Sequence, residues 1–156
     1  MKNELVSRAG LLKLKAEYEK IDDEIHRTLN AMGESAKRDN DLRENPEFME
    51  LRVKAMHTLP AQKEKLYQKI NEALIIEETP EYQEFDGSTV IVGAIVSFTM
   101  EGIEKRLTIL GSMEGDLKNN IIAYTAPLAN VMLGKHVGET FSFNSRTIVI
   151  NKIEKI

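Results

Sequence analysis

Two long stretches in the first half of the chain repeat apolar residues every three or four positions. The first predicts a helix from about residue 8 to 37, with Ser7 as its N-cap. The second predicts a helix from about residue 46 to 77, with Asn45 as N-cap and Pro46 at the first helical position. The apolar positions are Leu11, Leu14, Tyr18, Ile21, Ile25 and Met32 in the first stretch and Phe48, Leu51, Ala55, Leu59, Leu66, Ile70 and Ala73 in the second. Because each seam needs a partner helix, we expect an antiparallel coiled-coil hairpin roughly 45 Å long.

Three residues disturb these seams. Thr28 interrupts the first seam and Gln62 weakens the middle of the second. Pro60 lies inside the second predicted helix, where it removes one hydrogen bond and clashes with the preceding turn, at a cost of about 3 kcal/mol. We therefore expect a kink at Pro60, or a break into two helices.

After residue 80 the pattern changes to short β-branched and apolar runs. A polar linker over residues 77–81 precedes strands predicted near residues 90–99, 103–109, 121–124, 141–143 and 147–150, and a short helix over 128–133 ends at Gly134. The predicted fold class is α+β in two domains. A coiled-coil hairpin occupies residues 1–79, and a small antiparallel β-sheet domain with one short helix occupies residues 80–156.

Composition narrows the possible functions. The chain has 156 residues, no Cys and a net charge of −4, so disulfides, thiolate nucleophiles and thiolate metal sites are excluded. Its start lacks the apolar core of a signal peptide, and no apolar run approaches the roughly 18 residues of a membrane span. We therefore expect a cytoplasmic protein without a membrane partner. Both halves carry a slight excess of acidic residues, which argues against a broadly basic nucleic-acid binder.

Acidic residues gather at the turn between the two predicted helices. Asp41 and Glu44 are three residues apart, with Asp39 and Glu47 beside them, so two carboxylates can converge on one point. Carboxylate oxygens suit Mg²⁺, which takes few protein ligands and keeps several waters, so this pair could complete a site lent by another macromolecule. There a metal could activate water for phosphodiester hydrolysis. Alternatively, acids near a helix N-terminus merely favour its dipole, by less than about 1 kcal/mol each.

Basic residues surround the same turn and leave two interpretations open. They are Lys37, Arg38, Arg43 and Arg52. They could hold the phosphates of a nucleic-acid strand near the acids, or they could pair with neighbouring carboxylates. The chain shows no nucleophile elbow, Walker loop or dinucleotide-binding fingerprint, and its three His residues share no metal-ligand spacing.

Two parts of the sequence, one motif in the first half and a set of three short runs in the second, resemble the bacterial Gre transcript cleavage factors (GreA/GreB). Residues 41–48 read DLRENPEF, similar to the family's tip motif, and residues 114–122, 125–129 and 133–135 read EGDLKNNII, TAPLA and LGK, similar to its C-terminal domain. The resemblance implies an N-terminal coiled coil followed by an FKBP-like domain. It also implies that the globular domain docks at the rim of the RNA polymerase secondary channel and that the coiled coil brings its tip to the active centre.

The resemblance assigns roles to individual residues. Asp41 and Glu44 match the acidic pair that helps to hold a catalytic Mg²⁺ of the polymerase while backtracked RNA is cleaved at its 3′ side. Lys37 and Arg52 match basic positions that face the RNA, with Arg38 and Arg43 nearby. The polymerase-docking residues would be Asp116, Asn119, Asn120, Thr125, Pro127, Leu128 and Ala129. The chain would have no cofactor of its own, would not be an enzyme by itself and would act as a bacterial monomer.

Departures from the family pattern keep other functions open. The family usually has Gly before the motif's Asp, where this chain has Asn40, which tolerates a left-handed backbone better than most residues. Asn40, Asp39 and Pro60 together motivate the alternative of a channel-binding regulator without cleavage activity. A prolyl isomerase or chaperone is a third hypothesis, based on the FKBP-like second half of the chain. That half offers few aromatic residues for an isomerase pocket.

Overall fold

The computed structural model describes residues 3–156, which divide into two compact units. One unit is Leu12–Glu72, and the other combines the residues up to Leu11 with Ala73–Ile156. This division differs from the boundary expected between residues 79 and 80. The reason is a short parallel pair of strands, β1 (Glu4–Val6) and β2 (Ala73–Ile75), which joins the start of the chain to the segment after the second helix.

Helices form the unit Leu12–Glu72. Helix α1 (Arg8–Arg38) begins in the other unit and continues through this one. After a loop, the chain continues as α2 (Pro46–Val53), a π-helical segment (Lys54–Thr58) and α3 (Leu59–Glu72). The second helix therefore ends five residues earlier than predicted, because residues 73–75 pair as a strand.

Contacts between α1 and the segments that follow the loop confirm the antiparallel hairpin. As residue numbers rise along α1, the numbers of the partners fall. The contacts are Tyr18 with Tyr67, Asp22 with Lys63, Glu24 with Lys54, and Ser35 with Asn45. The apolar seam positions of α1 are only half-buried, whereas Thr28 is buried and its hydroxyl donates to the Glu24 carbonyl at 2.7 Å. The hairpin therefore has a thin core that includes satisfied polar groups.

The irregularity expected at Pro60 takes the form of a π-helical turn. Lys54–Thr58 separates two α-helical segments, and the Leu59 N–H donates to the Lys54 carbonyl across five residues. Pro60 follows directly as the second residue of α3. The wider turn precedes a residue that has no N–H to donate. Beyond it, Lys63 pairs with Asp22 on α1, and Gln62 is exposed.

A five-stranded sheet dominates the other unit. Its strands are β3 (Ala94–Met100), β4 (Ile103–Leu110), β5 (Ile121–Ala123), β6 (Thr140–Phe143) and β7 (Arg146–Lys155), in the order β5-β4-β3-β7-β6. Helix α5 (Pro127–Met132) packs on this sheet around a buried core. The core residues are Val90, Ala94, Val96, Phe98, Leu107, Ile109, Ala129, Met132, Ile148, Ile150 and Ile153. The predicted α+β class and the short helix are confirmed.

The sheet is mixed, and this corrects the expectation of an antiparallel sheet. Strand β4 pairs with β5 in parallel, from Thr108 opposite Ile121 to Leu110 opposite Ala123. The loop between these strands contains a short 3₁₀ turn, Leu117–Asn119. It carries the chain back so that β5 can run in the same direction as β4.

The segment predicted as a polar linker is ordered. It contains a 3₁₀ turn (Ile76–Glu78) and a short helix α4 (Pro80–Gln83) capped by the Thr79 hydroxyl. Ile76 and Tyr82 are buried in a second cluster with Leu110. Within residues 3–156, none of the helices is long and apolar enough to cross a membrane.

Candidate functional site

The loop between α1 and α2 carries the predicted acidic pair. Four short-range hydrogen bonds shape it. The Asp41 N–H donates to Asp39 Oδ1 and the Arg43 N–H donates to Asp41 Oδ1, both at 3.1 Å. The Leu42 N–H donates to the Asn40 carbonyl at 3.1 Å, and the Glu44 N–H donates to the Asp41 carbonyl at 3.2 Å. The carboxylates of Asp39 and Asp41 thus help to define the backbone of the loop.

Asn45 and Ser35 hold the base of this loop. The Asn45 Oδ1 accepts the Phe48 N–H at 3.0 Å, which confirms Asn45 as the N-cap of α2. Its Nδ2 donates to the Ser35 carbonyl at 3.3 Å and to Ser35 Oγ at 3.0 Å. Ser35 is 1% exposed and Asn45 is 6% exposed, although both are polar. Because unpaired polar groups are costly to bury, these bonds favour one arrangement of the two ends of the loop.

Glu47 extends the network to the surface. Its Oε2 accepts the Ser35 hydroxyl at 3.0 Å and the Arg38 guanidinium at 2.8 Å. Arg38, expected among the RNA-facing residues, is therefore engaged in an ion pair next to the loop. Sequence reasoning missed the role of Ser35. The signal for it was its position, since it lies seven residues after Thr28 and three after Met32 on the face of the α1 seam.

The side chains of Asp41 and Glu44 are exposed. One Asp41 oxygen accepts the Arg43 N–H, so its other oxygen is free of that bond. Glu44 forms no ion pair among residues 3–156. The same part of the chain holds no group of three or more His, Cys, Asp or Glu residues suited to a metal ion. Asp41 and Glu44 therefore present two solvent-accessible carboxylates on one loop.

The remaining predicted basic residues surround this loop. Lys37, Arg43 and Arg52 are exposed, and in the described part of the chain none of them lies within ion-pairing distance of a carboxylate. Asn40 does not need the left-handed backbone considered above. The non-glycine residues with positive φ among residues 3–156 are Glu101, Asn120, Asn144 and Ser145.

The first predicted docking segment forms a tight turn in the other unit. The Asp116 carboxylate accepts the Lys118 N–H at 3.1 Å and the Asn119 Nδ2 at 2.7 Å. Asn120 ends the turn with φ of 55°. Leu117, between these polar residues, is 81% exposed.

The second predicted docking segment is divided between surface and core. Thr125 and Pro127 are exposed, and Pro127 is the first residue of α5. Leu128 is half-buried, and Ala129 is 0% exposed within the core. Ala129 therefore cannot contact a docked partner directly and acts by packing α5 onto the sheet. The sequence could not separate these residues, because the side facing the sheet depends on the placement of a helix of only six residues.

Glu114, within the second matching segment, holds the start of α1. Its Oε2 accepts the Ser7 N–H at 2.8 Å and the Gly111 N–H at 3.0 Å, and its Oε1 accepts the Ser7 hydroxyl. The Ser7 Oγ in turn accepts the Gly10 N–H at 2.9 Å, which confirms Ser7 as a cap. Sequence reasoning found the cap but not its partner, because the two residues are 107 positions apart.

Comparisons with known proteins identify relatives that match most of the chain. A family model described as "Transcription elongation factor, GreA/GreB, C-term" matches residues 86–156. The transcription elongation factor GreA of Thioalkalivibrio sulfidiphilus is 31% identical over 133 residues, which cover 84% of this chain and 82% of that protein. GreA of Bradyrhizobium diazoefficiens is 28% identical over 155 residues, which cover 96% of both chains.

A solved structure is similar over nearly the full length. The crystal structure of GreA factor homolog 1 (Gfh1) of Thermus thermophilus covers 98% of this chain and 99% of its own, with 16% identity and a TM-score of 0.43. Those values are too low for a comparison of individual residues. The match of the C-terminal family model and the identity and coverage of the GreA relatives decide the assignment. The chain is a member of the GreA/GreB family of transcription elongation factors.

Proposed function

We propose that this elongation factor binds bacterial RNA polymerase through its secondary channel and stimulates cleavage of the 3′ RNA in backtracked complexes. The observation that carries the proposal is the exposed pair Asp41 and Glu44 on a loop whose base is fixed by Ser35 and Asn45. A fixed loop can present two carboxylates to an external site without losing much conformational entropy on binding. The polymerase supplies the rest of the catalytic site, so the chain is not the enzyme.

The chemistry divides between the two partners. A Mg²⁺ in the polymerase site would lower the pKa of a bound water and make it a nucleophile for phosphodiester hydrolysis. This chain would contribute carboxylate oxygens from Asp41 and Glu44 to that metal site. Lys37, Arg43 and Arg52 are free of ion pairs within residues 3–156 and would neutralise the RNA phosphates beside the acids. Arg38 would act differently, because it supports the loop through Glu47.

Docking would involve the other unit. The exposed residues of the predicted segments, Asn119, Asn120, Thr125 and Pro127, are available to a partner, together with Leu117. Asp116 would hold the turn through its bonds to Lys118 and Asn119. We place the protein in the bacterial cytoplasm as a monomer that meets the polymerase and the nascent RNA there.

A backtracked elongation complex tests the proposal directly. Incubation with the unaltered protein and Mg²⁺ should shorten the RNA from its 3′ end, and Asp41→Ala or Glu44→Ala should slow this by about 100-fold or more, the size expected for groups that position a reaction. Glu34→Ala is the matched control, since Glu34 is an exposed acid on α1 before the loop. Equal cleavage by all four proteins would refute the assigned role.

The same assay distinguishes the proposed function from the alternative of a channel-binding regulator without cleavage activity. Such a protein would bind the polymerase but leave the RNA intact at ordinary Mg²⁺ concentrations. One observation bears on this alternative: Asp39, one of the residues that motivated it, accepts the Asp41 N–H and so supports the position of the acidic pair.

A further inference from the structure

A cleft between α1 and α3 combines aromatic rings with carboxylates. It has a volume of about 400 Å³ and is lined by Tyr18, Asp22, Pro60, Lys63, Glu64 and Tyr67, among others. That volume lies within the range of sites that bind small groups. All of these residues belong to the helical unit, and none belongs to the acidic loop described above.

One half of the cleft already holds a cation of the chain itself. The Lys63 ammonium pairs with Asp22 and lies 5.0 Å from the centroid of the Tyr18 ring. The hydrogen bond from Lys63 is the main cause that lowers the pKa of Asp22 and, reciprocally, the bond to Asp22 raises the pKa of Lys63. A ring and a carboxylate acting together on one ammonium define the chemistry of the cleft.

The other half repeats this pair of groups without a cation. Tyr67 lies next to Tyr18, with ring centroids 6.4 Å apart, yet it is 50% exposed. Glu64, three residues earlier on α3, is exposed and receives only the Gln68 amide at 3.1 Å. Among residues 3–156 no Lys, Arg or His pairs with it. Residues three apart on a helix are neighbours, so the ring and the carboxylate can act on one group.

The backbone beside the cleft is irregular. The π-helical segment Lys54–Thr58 ends two residues before Pro60, which lines the cleft. Turns of this kind occur often at functional sites. Here the π-helical turn precedes the segment that brings Lys63 towards α1 and keeps Glu64 and Tyr67 accessible.

We propose that this cleft binds an arginine side chain of the RNA polymerase when the hairpin is engaged. The inference rests on the proposed function, because it names the same partner. A guanidinium is planar, stacks on an aromatic face and donates two parallel hydrogen bonds to a carboxylate, which matches Tyr67 and Glu64 better than an ammonium does. The two carboxylates against one lysine leave an excess negative charge that complements a cation and repels RNA phosphates.

Binding of the full-length protein to core polymerase tests this assignment. Glu64→Gln and Tyr67→Leu should each raise the dissociation constant about fivefold, as expected for a partly exposed cation–π and carboxylate contact. The double variant should raise the dissociation constant by less than the product of the two single effects, because both groups act on one guanidinium. Glu17→Gln is the matched control: it removes the same charge from an exposed residue on α1 that does not line the cleft.

A photo-crosslinking residue in place of Asn71 identifies the partner group. Asn71 is exposed and one helical turn after Tyr67. The crosslinked polymerase peptide should contain an arginine, and a peptide without one overturns the proposal. Circular dichroism checks that Tyr67→Leu keeps its helices, and Glu64→Gln gives an independent answer if it does not.

The outcomes separate this inference from the proposed function. Unchanged polymerase affinity in both variants, with cleavage still lost in Asp41→Ala, overturns the cleft alone. Absence of polymerase binding by the unaltered protein overturns both. Weaker binding of Tyr67→Leu to a single-stranded RNA oligonucleotide, with unchanged polymerase affinity, would reassign the cleft to RNA and also overturn the proposal.

Discussion

At the scale of single residues, Asn45 performs two tasks that are usually divided. Its side-chain oxygen caps α2, and its side-chain nitrogen reaches across to Ser35 on α1. Buried polar groups of this kind specify a unique geometry, because any other arrangement leaves a donor or acceptor without a partner. The geometry of the acidic loop therefore depends on two uncharged residues at its base.

Asn45→Ala is expected to loosen the loop. It removes the cap and the bonds to Ser35, so we expect a loss of about 1–3 kcal/mol in the stability of the hairpin. Hydrogen exchange of the Leu42, Glu44 and Phe48 amides measures the effect. Asn45→Asp keeps the capping oxygen but not the amide donor, and should lie between the alanine variant and the unaltered protein. Unchanged exchange in Asn45→Ala would show that the hydrogen bonds between Asn45 and Ser35 are dispensable for the loop.

Two glycines should respond to alanine in opposite directions. Gly93 has φ of +91°, and a Cβ there would lie 2.5 Å from Ile76 Cγ2, so Gly93→Ala should destabilise the protein by more than about 1 kcal/mol. Gly33 lies inside α1 with nothing within 4 Å of an added Cβ, so Gly33→Ala should stabilise it by about 0.5–1 kcal/mol. Urea unfolding measures both, and a shift of the same sign would contradict the backbone argument.

At the scale of elements, ion pairs link the two arms of the hairpin beside its thin apolar seam. Asp22 pairs with Lys63, and Glu24 pairs with Lys54 at 2.6 Å. These bonds come first among the causes that lower the pKa of both carboxyls. The folded carboxyls thus hold protons less tightly than the unfolded ones. Their contribution to stability is present above the unfolded pKa and is lost as pH falls through the folded one.

The loss of hairpin stability at low pH should therefore depend on Asp22. We expect the stability of the helical unit to fall as pH drops from about 5 to 3, and Asp22→Asn to make that fall shallower because its pair is already absent. Thermal unfolding followed by circular dichroism at several pH values measures this. Asp23→Asn is the control, because Asp23 forms no ion pair among residues 3–156. Identical pH profiles for Asp22→Asn and the unaltered protein would contradict the argument.

At the scale of the whole molecule, the proposed tasks fall in different units. The acidic pair belongs to Leu12–Glu72, and the exposed docking residues belong to the unit that contains Ala73–Ile156. Each unit has its own buried residues, among them Ala55 and Leu59 in the first and Ile109 and Ile150 in the second. A substitution on one surface should therefore leave the other unit folded.

Binding and cleavage should accordingly be separable. The double variant Asp41→Ala/Glu44→Ala should bind polymerase within about twofold of the unaltered protein while its cleavage activity is lost. Leu117→Asp, at a side chain that is 81% exposed, should weaken binding by about tenfold without loss of fold, and a higher concentration should restore cleavage. A binding titration and a cleavage assay on the same preparations test this. Loss of binding in the double variant would show that the tip itself carries the affinity.

The features that the sequence determined are those that a few neighbouring residues specify. Caps at Ser7 and Asn45, the seam on α1, the irregularity near Pro60 and most strands follow from short-range spacing, because capping and periodicity act within one or two turns. The acidic loop was found for the same reason, as its residues are contiguous.

The tertiary structure alone decided which distant groups meet. The β1–β2 and β4–β5 pairs run in parallel, Glu114 binds Ser7, Arg38 pairs with Glu47, and Ala129 lies in the core. Strand direction and the buried side of a short helix depend on the residues packed against them, and no local pattern encodes those partners. Local patterns therefore specified the helices and the loop, whereas long-range packing set which side chains remain free to bind.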